Sequence, residues 1–143
     1  MKQNLEYTIK VILSGGTAFS WTTVYFDFLR FQKIYGTVFR ISGCTTPNPV
    51  LTPCFYGAIA FAIGLYLAIT NKFKELYWLL LGGTVFAWGN FSYEAYKFYF
   101  NVGPKVSCSG IVTDNIFTTP CFHGAIIYLL AFIAIKFHKS ITY

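Results

Sequence analysis

The chain has 143 residues, of which 55% are hydrophobic and 21% aromatic while only 11% are charged; an ordinary soluble domain carries about 25% charged residues. Such a composition excludes a disordered chain. The eleven Lys and Arg residues behind the net charge of +6 are scattered rather than clustered, which argues against a nucleic-acid-binding face. The length is that of one domain, 1–143, and the apolar excess points to lipid as its solvent.

The first predicted helix covers about 8–32, around the charge-free Val11–Phe26 of 16 residues. Lys2 and Lys10 ahead of it imitate a secretory signal, but no small-x-small cleavage site follows, whereas Trp21, Tyr25 and Asp27 do, so the segment is expected to be retained as a span. A second helix at about 54–71 lies within Ile41–Asn71, 31 residues without a charge. The third, about 75–100, contains the 18-residue Leu76–Tyr93, and the fourth, about 120–138, lies largely in the 21-residue Asn115–Ile135. Each approaches the roughly 20 apolar residues that a membrane helix needs. Strands are not expected, because four of them cannot close a barrel and open edges in lipid leave backbone groups unpaired.

Shifted by 67 positions, the sequence matches itself. Gly15-Gly16-Thr17 meets Gly82-Gly83-Thr84, Trp21 meets Trp88, Asp27 and Arg30 meet Glu94 and Lys97, and Gly36 meets Gly103. Thr52-Pro53-Cys54-Phe55 and Gly57-Ala58-Ile59 meet Thr119-Pro120-Cys121-Phe122 and Gly124-Ala125-Ile126. The expected architecture is therefore an all-α integral membrane protein, a four-helix transmembrane bundle of two tandem two-helix repeats, about 8–72 and 75–139. Each repeat has an even number of spans, so the halves enter the membrane in the same sense and share a pseudo-two-fold axis along its normal.

Lys2, Lys10, Lys72, Lys74, Lys136 and Lys139 fall on the termini and the middle linker, against Lys33, Arg40 and Lys105 on the other side. This bias places both termini in the cytoplasm of a plasma or inner membrane and the long loops outside. Cys44 and Cys54 bracket one loop, and Cys108 and Cys121 the other. Four cysteines allow three pairings; duplication favours Cys44–Cys54 and Cys108–Cys121, on the side where disulfides persist. Each bridge would tie down its loop, worth about 3 kcal/mol in the chain-entropy picture. The alternative is redox exchange, since Cys54 and Cys121 each follow a Pro at a predicted helix start, where the helix dipole favours a thiolate. In layout alone, a four-helix bundle with two outward cysteine pairs resembles the bacterial membrane oxidoreductases that reoxidise periplasmic disulfide catalysts, and the vitamin K epoxide reductase group. The resemblance implies a quinone cofactor and electron relay through Cys44, Cys54, Cys108 and Cys121; the C-x-x-C pair of those families is absent from this sequence. The spacings do not match paired zinc knuckles, so no metal is expected.

Gly16, Ser20, Thr23 and Asp27 share a helical face, with counterparts Gly83, Ala87, Asn90 and Glu94. Small residues allow close helix approach, so Gly16, Ser20, Gly83 and Ala87 are read as packing residues on a seam between the first and third helices. Asp27 and Glu94 lie about 20 residues into their helices, near the outer boundary, with Arg30 and Lys97 at i+3 in reach to pair. Intramembrane charges mark pathways, and Asp27, Arg30, Glu94, Lys97 and His123 form the candidate polar pocket below the loops. The 11 Tyr and 3 Trp suit interfacial belts, with Tyr25, Tyr93, Tyr96 and Tyr99 outside and Tyr77 and Trp78 inside.

The expected function is that of a small membrane protein that binds a membrane or extracytoplasmic protein partner or handles a small solute, without nucleic acid and without a cofactor. Quinone-linked thiol–disulfide exchange is the alternative, and only it makes the protein an enzyme with a quinone.

Overall fold

The computed structural model describes residues 1–37, 52–100 and 115–142. Four α-helices account for most of them, and no strand occurs among the described residues: α1 is Lys2–Tyr35, α2 Pro53–Ile69, α3 Phe73–Phe100 and α4 Pro120–Thr142. A single 3-10 turn, Ile116–Thr118, precedes α4. At 1.5 Å per residue α1 runs about 51 Å and α3 about 42 Å, with α2 and α4 shorter.

The helix ends follow local chemistry. Gly15 and Gly16 do not interrupt α1; it continues to Gly36, whose φ of 70° ends the helix while its N–H donates to Gln32 O. Only glycine takes that left-handed backbone without steric cost. Pro53 begins α2, where a missing N–H costs nothing, after the extended Thr52. The second helix stops at Ile69, two residues before its expected end, because Asn71 turns left-handed at φ 59°. Lys72 N–H then donates to Leu67 O at 2.9 Å and Asn71 N–H to Ala68 O at 3.2 Å, the paired closure of a Schellman cap. The outer helices extend past the expected 8–32 and 120–138 because neither end meets a Pro.

The four helices form a ring in which each packs on its two chain neighbours and α1 also closes against α4. Across the ring α2 and α4 touch, whereas α1 and α3 do not approach. The expected seam between the first and third helices therefore does not form. What keeps them apart is the aromatic pair at the centre: Phe61 of α2 and Tyr128 of α4 stack with ring centroids 4.0 Å apart. The two small-residue faces open toward these rings instead of toward each other. A Cβ at Gly16 would stand 2.7 Å from Phe61 and 2.9 Å from Ile127, and one at Gly83 would stand 2.7 Å from Tyr128.

Burial repeats with the sequence. Ile9 and Leu76, Leu13 and Leu80, Ala58 and Ala125, Phe61 and Tyr128, and Ala68 and Ile135 are all buried, and each pair is 67 residues apart. Below the stack, Leu13, Leu76 and Leu79 fill the space around Gly64, so the core is a column of equivalent residues.

Among the described residues one helix is long and apolar enough to cross a membrane by itself, over Phe122–Ile141, and Cys54–Ile69 is apolar but shorter. Helices α1 and α3 are more polar because of the Ser, Thr and Asn residues they carry, most of which bond within their own helix. Thr8, Ser14, Thr17, Thr22 and Thr23 each donate to the carbonyl four residues back at 2.7–2.9 Å, as do Thr84 and Asn90. A hydroxyl bonded in this way needs no water.

The glycine pairs give a test of this packing. Gly16→Ala and Gly83→Ala should each destabilise the bundle by about 1–3 kcal/mol through overpacking. Gly15→Ala and Gly82→Ala, where a new Cβ meets nothing within 4 Å, should be neutral or stabilising by up to about 1 kcal/mol. Thermal unfolding of the four purified variants measures the contrast.

Candidate functional site

Above the Phe61–Tyr128 stack the helices separate and enclose a cavity of about 60 Å³. Helix α1 contributes Phe19, Ser20 and Thr23; α2 contributes Cys54, Gly57 and Phe61; α3 contributes Phe86, Ala87 and Asn90; α4 contributes Pro120, Gly124, Ala125 and Tyr128. Five pairs in this lining are 67 residues apart: Phe19 and Phe86, Ser20 and Ala87, Thr23 and Asn90, Gly57 and Gly124, Phe61 and Tyr128. A cavity walled by equivalent residues of both halves sits where the halves meet.

The two halves supply different chemistry to it. Where one has Phe61 the other has Tyr128, whose hydroxyl donates to Gly57 O at 2.7 Å and ties α4 to α2. Thr84 Oγ1 donates to Tyr128 O at 3.3 Å, so the same residue also joins α3 to α4. Thr23 and Asn90 line the cavity at equivalent positions, both already donating to their own helices. Among the Ser and Thr residues of α1, Ser20 is the one with no such bond among the described residues, and its buried side chain lines the cavity. Cys54, the second residue of α2, completes the wall. Asp27 and Glu94 both lie within electrostatic range of its thiol.

The volume limits what fits. At about 60 Å³, the space is well below the roughly 300–1,000 Å³ of sites for drug-sized ligands.

The charged residues expected to form a pocket lie above the cavity and do not line it. Asp27 is buried at 4% exposure and accepts a hydrogen bond from the Arg30 guanidinium, while its Oδ2 has no partner among the described residues. In the second half the equivalent ion pair is not formed: Glu94 is half-buried, and Lys97 Nζ stands 5.4 Å from the centre of the Tyr93 ring. His123 is exposed, with Nδ1 3.2 Å from Thr119 O and its ring edge toward Phe19. No three His, Cys, Asp or Glu side chains converge on a metal-sized site among the described residues. Cys44, Cys108, Arg40 and Lys105, and the side chain of Cys121, lie outside the described residues, and with them the expected local cysteine pairs. Sequence reasoning placed Ser20, Thr23, Ala87 and Asn90 on the relevant faces but missed Phe61, Tyr128, Gly57 and Gly124. The Phe-to-Tyr exchange between otherwise matched apolar positions was the available signal. No family model matches the sequence, and neither a curated protein nor a solved structure matches it.

Two substitutions separate the forces at this site. Tyr128→Phe keeps the stack and removes the hydroxyl bond to Gly57, and should cost about 0.5–1.5 kcal/mol in thermal unfolding. Arg30→Gln leaves the buried Asp27 carboxylate unpaired; with Arg30 itself 43% exposed, the loss should be about 1–3 kcal/mol, below that of a fully buried pair. The double variant Asp27→Asn/Arg30→Gln should recover part of it in the same measurement.

Proposed function

We propose that this chain is a four-span membrane protein that admits a small uncharged solute to the cavity between its two repeats. Both termini face the cytoplasm and the cysteine loops face outside. The observation that carries the solute reading is the cavity's composition: a mainly apolar well walled by equivalent residues of both halves, with Ser20, Thr23 and Asn90 among its few polar groups. A solute of one to three heavy atoms matches that volume and polarity.

Support for the bilayer comes from the outer surface. Ile63, Tyr66, Val85, Phe86, Leu130 and Ile133 are exposed on the mid-helix circumference, where a water-soluble bundle would place charges. Tyr25, Tyr93, Tyr96 and Tyr99 are exposed toward one end and Trp78 toward the other, as interfacial belts require. Lys and Arg side chains are absent from Val11–Phe26 and Leu76–Tyr93.

A second reading, quinone-linked thiol–disulfide exchange, is favoured by one observation: Cys54 lines the cavity. The volume weighs against it, since about 60 Å³ is small for a quinone ring, whose entry would need the helices to part.

Stopped-flow light scattering on proteoliposomes tests the first reading against the second. Faster equilibration of water or ammonia than in protein-free vesicles, lost in Ser20→Leu and kept in Cys54→Ser, is the expected result. Unchanged permeability, together with quinone reduction that Cys54→Ser abolishes, would overturn it in favour of electron relay. In a cysteine-free background, Lys33→Cys should be labelled by an impermeant maleimide in intact cells, whereas Lys139→Cys should be labelled only after the membrane is opened.

A further inference from the structure

At the end of the bundle opposite the axial cavity, the start of α1, the start of α3 and the end of α4 leave a groove of about 640 Å³. Its walls differ from those of the cavity. Lys2, Lys74 and Lys139 stand on it, and Glu6 is the one carboxylate among its lining residues. Glu6 is already engaged, its Oε1 accepting from His138 Nε2 at 3.0 Å. The His138 ring in turn lies against Phe73, with centroids 4.5 Å apart. The carboxylate is thus held at the groove's base by a buried histidine, and the lysines dominate the charge at its mouth. Lys139 Nζ sits 4.4 Å from the centre of the Tyr77 ring, which fixes a cation above an aromatic face. Trp78 is 62% exposed at the rim.

The groove is not repeated on the other side of the bundle. Shifted by 67, Phe73, Tyr77 and Trp78 become Glu6, Lys10 and Val11. There the aromatic floor is missing, and Lys10 Nζ donates to Asn71 Oδ1 at 3.3 Å. One side of a duplicated frame has therefore acquired a cation over an aromatic ring, a volume within the range of a true ligand site, and a carboxylate already bonded to a histidine.

We propose that this groove binds the phosphate headgroup of an anionic phospholipid. Lys2, Lys74 and Lys139 hold the negative charge, while Tyr77, Trp78 and Ile135 receive the glycerol and the first acyl carbons. The inference rests on the bilayer reading above, under which the groove opens at the cytoplasmic leaflet, where anionic lipids concentrate and basic pockets between helices take up their headgroups.

Native mass spectrometry of the full chain in detergent doped with phosphatidylglycerol or phosphatidylcholine tests it. The expected result is retained phosphatidylglycerol, no retained phosphatidylcholine, and a thermal unfolding temperature raised by the anionic lipid alone. At roughly five-fold per lysine, Lys74→Gln/Lys139→Gln should weaken retention by about thirty-fold, while Lys33→Gln at the outer end should change it by less than about two-fold. Equal retention of both lipids, an equal loss in Lys33→Gln, or displacement of the lipid by millimolar inorganic phosphate would each overturn the proposal. Alkaline washing of membranes separates the two failures: a chain that stays in the pellet yet does not discriminate headgroups overturns the groove alone. A chain released to the supernatant overturns the bilayer reading itself.

Discussion

The stack of Phe61 on Tyr128 is the contact on which the rest of the bundle depends. Two large rings placed where α2 and α4 cross occupy the centre of the ring of helices, and each needs space that only a residue without a side chain supplies. Gly16 and Gly83 provide it, one in each half. Close packing at protein density leaves no alternative, because a methyl group at either glycine has no void to enter. With the rings in place, α1 and α3 are held on opposite sides, and the leucines below and the small residues above arrange themselves around a shared axis.

The same wedge creates the cavity. Above the rings, the lining includes Ser20, Gly57, Ala87, Gly124 and Ala125, residues small enough to leave a gap between the helices. Small residues placed there by the need for close helix packing thus become the walls of a well. Its polarity arises where the copies have diverged: Ser20 against Ala87, Thr23 against Asn90, Tyr128 against Phe61. Duplication supplies the frame, and the departures from it supply the chemistry. The groove at the opposite end of the bundle follows the same rule, with aromatic residues on α3 where α1 has Glu6, Lys10 and Val11.

Charge is handled differently at the two ends. At one end, Asp27 is buried beside Arg30 and leaves one oxygen without a partner among the described residues; the equivalent Glu94 and Lys97 remain apart. At the other end, Glu6 and His138 form a contact between α1 and α4, and most of the surrounding cations are exposed lysines. Pairing keeps Asp27 and Arg30 on one helix, whereas Glu6 and His138 join two helices and leave an excess of positive groups facing their end of the bundle.

Much of this was determined along the chain. Apolar runs, the glycine at position 36, the Thr-Pro pairs before Cys54 and Cys121, and the 67-residue repeat are local or tandem features, and they set the helices and their equivalence without reference to any distant contact. The repeat also brought Ser20, Thr23 and Asn90 onto faces that must look inward. Which helices touch was decided only in three dimensions. A stripe of small residues fits against another stripe or against a large ring equally well, and sequence spacing does not distinguish the two. The aromatic at 61 and its partner at 128 resolve that choice, because they come together only after both halves have folded and their bulk then excludes the α1–α3 approach. The position of Asp27 and Glu94 above the cavity rather than in its wall has the same origin: helical periodicity gives a residue its face, but the depth at which neighbouring helices part is set by the side chains wedged between them.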